Sequence, residues 1–196
     1  KIKASKILDK LNLTKNKYFV VSAHREENIS GSRNFNGLID SLNQIAELYN
    51  YPIIVSAHPR TRNMINDNEV KTHKNIHILK PLGFSDYNCL QMNSFAVLSD
   101  SGTINEESSI LNFRALNLRD AHERPEAMEE ATVMMVGMNT DRIIQGLTEL
   151  SRQVITENRN FREVSDYSMP NVSLKVVRII ISYVDYINQN IYKKFN

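Results

Sequence analysis

The sequence predicts an α/β fold, a Rossmann-like parallel sheet with helices on both faces. Three observations predict it. Short apolar runs rich in Val, Ile, Leu and aromatic residues recur at 18–21, 53–55, 76–79, 95–98, 115–118 and 133–136. Most of the segments between them carry apolar residues at helical spacing. The runs are mostly apolar, which suits parallel strands covered on both faces. The order of the strands is not readable from this pattern.

Taken in order, residues 4–11 read as a short amphipathic helix with Ile7, Leu8 and Leu11 apolar. The first strand, 18–21, runs into SAHREENISGSRNF. Asn34 is placed to cap the next helix, whose Leu38, Leu42, Ile45, Ala46 and Tyr49 follow a helical period. Pro52 precedes the second strand, which leads to SAHPRTRN and a shorter helix over 61–68. Pro81 and Gly83 mark the loop after the third strand, and Ser85 or Asp86 then caps a helix with Tyr87, Leu90 and Met92. The fourth strand turns through Asp100-Ser101-Gly102-Thr103 into a helix with Glu106 and Glu107. The fifth strand, 115–118, opens a polar loop over 119–126. The sixth stops at Gly137, and Thr140 or Asp141 caps a helix with Ile143, Ile144, Leu147 and Leu150. A polar connection over 157–171 precedes a long amphipathic helix over 172–195. The domain expectation is one sheet domain over 1–171, with a terminal helix at 172–196 packed on it.

Composition narrows the function classes. In 196 residues, 41% are hydrophobic, enough to bury a normal core. Lys plus Arg number 24 against 22 for Asp plus Glu, a formal charge of +2. That balance gives no electrostatic reason to expect nucleic acid or an anionic membrane surface. A site for one small anion needs only local charge and stays open. The single cysteine, Cys89, excludes an intramolecular disulfide and a cysteine zinc cluster, and it reads as a buried small hydrophobe. No apolar run approaches the ~20 residues that span a membrane. The chain begins KIKASK without a Met or a signal-peptide core, so the expectation is a cytoplasmic fragment, the later part of a longer chain.

The candidate chemistry gathers where strands end, the place α/β sheets put ligands. Asp100-Ser101-Gly102-Thr103 suits a phosphate: small residues let backbone N–H groups approach an anion, and a helix start adds partial positive charge. Ordinary helix capping needs the same residue types. The stretch has neither GxGxxG nor GxxxxGK[ST]. Glu106 and Glu107 are adjacent and do not share a helix face, so one can meet a ligand while the other meets solvent or an Arg. A carboxylate can accept from the paired hydroxyls of a ribose. His24 and His58 follow the first and second strands, as acid/base groups, phosphate donors or structural side chains. His73, His77 and His122 have no assigned role. Arg25, Arg60, Arg119 and Arg124 are candidates for phosphate binding or for tying loops to carboxylates. The His and acidic residues have no recognisable metal-ligand spacing, so no metal is expected.

The ordered blocks SAHREEN, SAHPR, SDSGTINEES and RDAHERPEAMEEATVMMVG resemble the second half of the UDP-N-acetylglucosamine 2-epimerase family. The resemblance runs over about 18–150 and is most similar to the branch that forms UDP-N-acetyl-L-fucosamine from UDP-2-acetamido-2,6-dideoxy-L-talose. It implies the nucleotide-binding half of a GT-B-type fold, with the amino-terminal partner domain lying outside this chain. It further implies that Ser101 contacts the diphosphate of UDP and Glu107 the ribose, with Gly102 and Thr103 beside them. His24 matches the active-site histidine. Arg25 and His58 are carried over as cleft or phosphate contacts, and Arg119 and Arg124, read from the polar loop itself, are added as candidate UDP contacts. The implied reaction eliminates UDP across C1–C2 to a glycal and readds it to the other face of C2, with no oxidising cofactor. Its proton-transfer carboxylates belong to the other domain, so this chain alone is expected to bind UDP and epimerise very poorly. A homodimer is compatible with the resemblance.

Three departures bear on the substrate. Glu26 stands where the family commonly has a second Arg, Thr103 where it has Gly, and His122 where it has Thr. They fit the L-sugar branch. Two other readings remain open at this point: a GT-B glycosyltransferase using a UDP-sugar, and a noncatalytic nucleotide-sugar-binding module.

Overall fold

The computed structural model describes residues 1–23, 32–57, 71–121, 124–154 and 159–194, with backbone alone at 32–34. Six strands form one sheet: β1 (Phe19–Ser22), β2 (Ile53–Ser56), β3 (Ile76–Leu79), β4 (Ala96–Ser99), β5 (Ala115–Asn117) and β6 (Met134–Met135). Their order is β3-β2-β1-β4-β5-β6, and every pairing is parallel. The chain builds outward from β1 to β3, then returns to the other side of β1 to lay down β4. β1 and β4 therefore flank the point where the winding reverses, and strand ends at such a point open into a crevice.

The helices are α1 (Ile7–Lys10), α2 (Ser32–Tyr49), α3 (Phe84–Asn93), α4 (Ile104–Leu111), α5 (Pro125–Glu129), α6 (Thr140–Arg152) and α7 (Val172–Asn190), with 3-10 turns at Ile2–Ala4 and Ser165–Tyr167. Successive strand residues face opposite sides of the sheet. Phe19, Val21, Leu98 and Leu116 accordingly pack with Leu42 and Ile45 of α2 and Leu147 of α6. Val20, Val97 and Ala115 pack on the other side with Ile7 of α1, Leu90 of α3 and Ile104 of α4. Gly146 sits where α6 meets β5: a Cβ there would stand 2.9 Å from Leu116 Cδ2 and 3.2 Å from Val136 Cγ1. Cys89 is buried on α3, as expected of a small hydrophobe on a helix.

Several caps differ from the sequence expectation. α2 starts at Ser32, so Asn34 lies inside its first turn. α3 starts from Gly83, whose extended backbone leads into the helix, and Asp86 instead accepts a hydrogen bond from Ser5 Oγ. α6 is capped by Asn139, whose side-chain oxygen accepts from the Arg142 N–H at 3.0 Å. Thr140 is engaged elsewhere, 2.7 Å from Ser41 Oγ. The helix expected over 4–11 is shorter, Ile7–Lys10, preceded by a separate 3-10 turn at Ile2–Ala4, and Ile7 is its fully buried residue. The last helix ends at Asn190, short of 195. α5 was not expected; Pro125 at its first position suits a helix start, where the missing N–H has no helical partner to lose. The helix expected over 61–68 lies outside the described residues.

The chain divides into two compact units, Lys1–Val164 and Ser165–Asn196. The first holds the whole sheet. The second holds the last 3-10 turn and α7, within which Tyr183 and Tyr186 meet edge to face at 6.3 Å. Among the described residues no helix is long and apolar enough to cross a membrane.

Candidate functional site

The site begins in the strands. Register pairs Ser22 of β1 with Ser99 of β4, and Ser99 with Asn117 of β5. Alternation places all three on the sheet face covered by α3 and α4, one step beyond the apolar residues Val20, Val97 and Ala115. A polar row thus crosses the carboxyl ends of three neighbouring strands. Ser99 and Asn117 are 2% and 1% exposed. The backbone is tied there too: Asp100 N–H donates to Ser22 O at 3.1 Å and Leu118 N–H to Ser99 O at 2.9 Å.

Above this row the chain turns into α4. Ser101 N–H donates to Ser99 Oγ at 3.1 Å. Ser101 Oγ lies 3.0 Å from Thr103 Oγ1, and Thr103 Oγ1 donates to Glu107 Oε1 at 2.9 Å. From α3, Gln91 Nε2 donates to Glu107 Oε2 at 2.7 Å. Asn105 Nδ2 donates to Gly102 O at 3.2 Å. Thr103 is the helix N-cap by position, yet its side chain makes no capping hydrogen bond. Capping therefore does not account for the hydroxyls of this turn. They run instead to one another and to a carboxylate at the positive end of the helix.

Tyr87, four residues before Gln91 on α3, closes the other side of the row. Its phenol is hydrogen-bonded to the Ser22 side chain and lies in the field of Glu107 and Asp100. Burial, opposed by the Ser22 bond and reinforced by those two acids, pushes the phenol up to about 12. It stays neutral, a hydroxyl able to donate and accept. Gln91 Oε1, Asn105 Oδ1 and both polar side-chain atoms of Asn117 are buried without a hydrogen-bond partner among the described residues. Native folds rarely leave such groups unpaired, and they concentrate at sites of function.

The two glutamates part company as their spacing implied. Glu107 joins the Ser101–Thr103 chain, whereas Glu106 Oε1 accepts from Arg124 Nε at 2.8 Å. That bond ties the start of α5 to α4. Arg119 is 8% exposed, on the segment after β5. Asp120 beside it is packed by Gly137, whose φ of +61° is a left-handed backbone and whose Cβ, if present, would overlap Asp120 Oδ1.

Ser101, Gly102, Thr103 and Glu107 are thus brought together, whereas Arg124 is paired with Glu106, which does not join that chain of hydrogen bonds. His24, Arg25, His58, Arg60 and His122 lie outside the described residues, although in sequence His24 and His58 follow the ends of β1 and β2. Sequence reasoning missed Ser22, Tyr87, Gln91, Ser99, Asn105 and Asn117. For three of these a signal existed: the runs at 18–21 and 95–98 are each followed by a serine, the run at 115–118 carries Asn117, and in parallel register these fall in a row. Tyr87 and Gln91 gave none, because both sit in a helix whose spacing reads as ordinary packing. Among the described residues no three His, Cys, Asp or Glu side chains are grouped to hold a metal.

Residues 1–181 match the family profile described as UDP-N-acetylglucosamine 2-epimerase. The chain belongs to that family. The structure of UDP-N-acetylglucosamine 2-epimerase from Rickettsia bellii is similar with 42% identity and a TM-score of 0.85, over 98% of this chain and 52% of that one. The Methanocaldococcus jannaschii UDP-GlcNAc 2-epimerase, solved in complex with UDP-GlcNAc and UDP, is similar with 27% identity and a TM-score of 0.78, over 92% of this chain and 50% of that one. In sequence, the UDP-N-acetylglucosamine 2-epimerase of Methanocaldococcus jannaschii is 29% identical over 167 residues, 83% of this chain and 44% of that protein. The chain therefore spans about half the length of these relatives. The six-stranded parallel sheet with helices on both faces is the α/β architecture of GT-B-type epimerases.

Proposed function

We propose that this chain is the UDP-binding half of a UDP-N-acetylhexosamine 2-epimerase, with residues 1–171 as its nucleotide domain. One observation carries the reading: a family sheet whose winding reverses beside a hydroxyl-rich turn, with a carboxylate held at the helix start behind it. A nucleoside diphosphate has two matching parts. Its phosphates suit the backbone N–H groups of Gly102 and Thr103 and the hydroxyl of Ser101, with Arg119, Arg124 and Arg25 supplying positive charge. Its ribose diol suits Glu107, an acceptor with two oxygens. His24 is the catalytic candidate of this half, and His58 a further cleft contact.

The reaction follows from this division. The C2 proton is removed and UDP leaves from C1, forming a C1–C2 double bond. Readdition of UDP to C1 and a proton to the opposite face of C2 inverts that centre. Donors aimed at the pyrophosphate stabilise the charge that develops as UDP departs. The proton-transfer carboxylates are proposed to lie on an amino-terminal domain outside this chain. Thr103 and the AHERPE sequence favour the L-sugar branch, UDP-2-acetamido-2,6-dideoxy-L-talose to UDP-N-acetyl-L-fucosamine, in the making of bacterial surface polysaccharide precursors.

The test joins an amino-terminal half to this chain and follows UDP-sugars by NMR in deuterated water. The expected result is solvent deuterium at C2 of both epimers, first with the L-talose substrate. Sugar transfer to an acceptor without C2 exchange would favour a glycosyltransferase, and binding without either would favour a noncatalytic module.

A further inference from the structure

We infer that Gln91 is a positioning residue: with Thr103 it holds the two oxygens of Glu107 from separate elements and sets the carboxylate plane before a nucleoside diphosphate binds. This inference rests on the proposed contact between Glu107 and ribose. A glutamate in the first turn of a helix has three side-chain torsions, and ordering them opposes binding. Here two hydrogen bonds from the protein itself already hold the carboxylate. Gln91 reaches Oε2 from α3 at 2.7 Å, and Thr103 reaches Oε1 from the start of α4 at 2.9 Å. Two donors on two different oxygens fix both the direction and the tilt of the group. The bonds are to a charged acceptor, which makes them the stronger kind.

Packing alone does not explain Gln91. It is 1% exposed, and its carbonyl Oε1 is buried with no partner among the described residues. An apolar side chain would fill the same volume without that unpaired group. What the amide adds is its N–H bond to Glu107. Each carboxylate oxygen has a second lone pair, so a vicinal diol can bind while Gln91 and Thr103 remain in place. Tyr87, one turn earlier on α3 and bonded to Ser22, anchors the same helix face to the strand ends.

The experiment titrates UDP, 2′-deoxy-UDP and inorganic pyrophosphate into the 196-residue chain by calorimetry, beside Gln91→Met and Glu107→Ala. Met keeps the length of Gln and removes the amide. Gln91→Met should weaken UDP about tenfold and the other two ligands little, so that the preference for UDP over 2′-deoxy-UDP shrinks. Both nucleotides carry the same diphosphate, so this ratio reports the ribose side alone. If Gln91→Met does not fold, Thr103→Val removes the second donor and should reduce the same ratio. Equal weakening of all three ligands, or unchanged UDP affinity, overturns the positioning role. Glu107→Ala separates the two ideas. If it retains the preference for UDP, the ribose contact itself fails. If it loses the preference while Gln91→Met retains it, only the role of Gln91 fails. Absence of UDP binding by the unaltered chain overturns both.

Discussion

Tyr87 shows how much chemistry one side chain can bring to a strand end. Its ring packs with the α3 face of the core while its hydroxyl meets Ser22 near Glu107 and Asp100. The sign of its effect on stability follows from the direction of its shift. The folded value, about 12, lies above the ordinary 10, so the fold favours the neutral phenol. Below pH 10 the phenol is neutral in both states and the contribution is complete. As pH rises from 10 through about 12, the unfolded chain ionises first and the contribution is lost. Tyr18, whose hydroxyl donates to Leu90 O at 2.7 Å, is raised for the same first reason, burial, and acts in the same direction. Tyr87→Phe should therefore lose less stability than the parent across that alkaline window. Urea melts at stepped pH measure it, and identical slopes would refute the assignment. At this scale the sequence revealed the Ser101–Glu107 group, because small residues and acids between a strand and a helix are a local pattern. It concealed Gln91, because its importance depends on a carboxylate sixteen positions away on another helix.

The secondary-structure elements were legible wherever burial and local propensity agree. All six strands fall on the apolar-rich runs, most plainly the central ones, whose residues are buried on both faces, whereas β3 at the edge exposes His77. Helix starts were less legible. Asn139 displaced Thr140 and Asp141 as the cap of α6, and Gly83 displaced Ser85 and Asp86 at α3, because several polar residues in succession leave the choice to packing. The contact between α6 and β5 was hidden as well, since a lone glycine in a helix reads only as a weak position. Gly146→Val would push methyl groups into Leu116 and Val136 and should lower stability by about 1–3 kcal/mol. A denaturant melt gives the value; an unchanged midpoint would mean that α6 can lift from the sheet freely.

For the molecule as a whole, the fold class was readable and the strand order was not, because sequence proximity does not say on which side of β1 the fourth strand returns. The structure adds that return, and with it a reversal of winding between β1 and β4, beside which the candidate site lies. The chain covers 52% of the Rickettsia bellii structure, so a division of labour is expected between it and the remainder. Incubated alone with UDP-sugar in deuterated water, it should bind the nucleotide and leave C2 protonated. Rapid C2 labelling by the chain alone would place the proton-transfer groups here and undo that division.

The row of Ser22, Ser99 and Asn117 has one more consequence, for folding fidelity. Because side chains alternate, sliding any of these strands by one residue would carry its polar terminus to the opposite face, among Leu42, Ile45 and Leu147. It would also swing Val21, Leu98 or Leu116 toward the polar turn. Misaligned chains thus bury hydroxyls in oil and break the polar row together. The sheet checks its own alignment with the same residues that form the polar row at its strand ends.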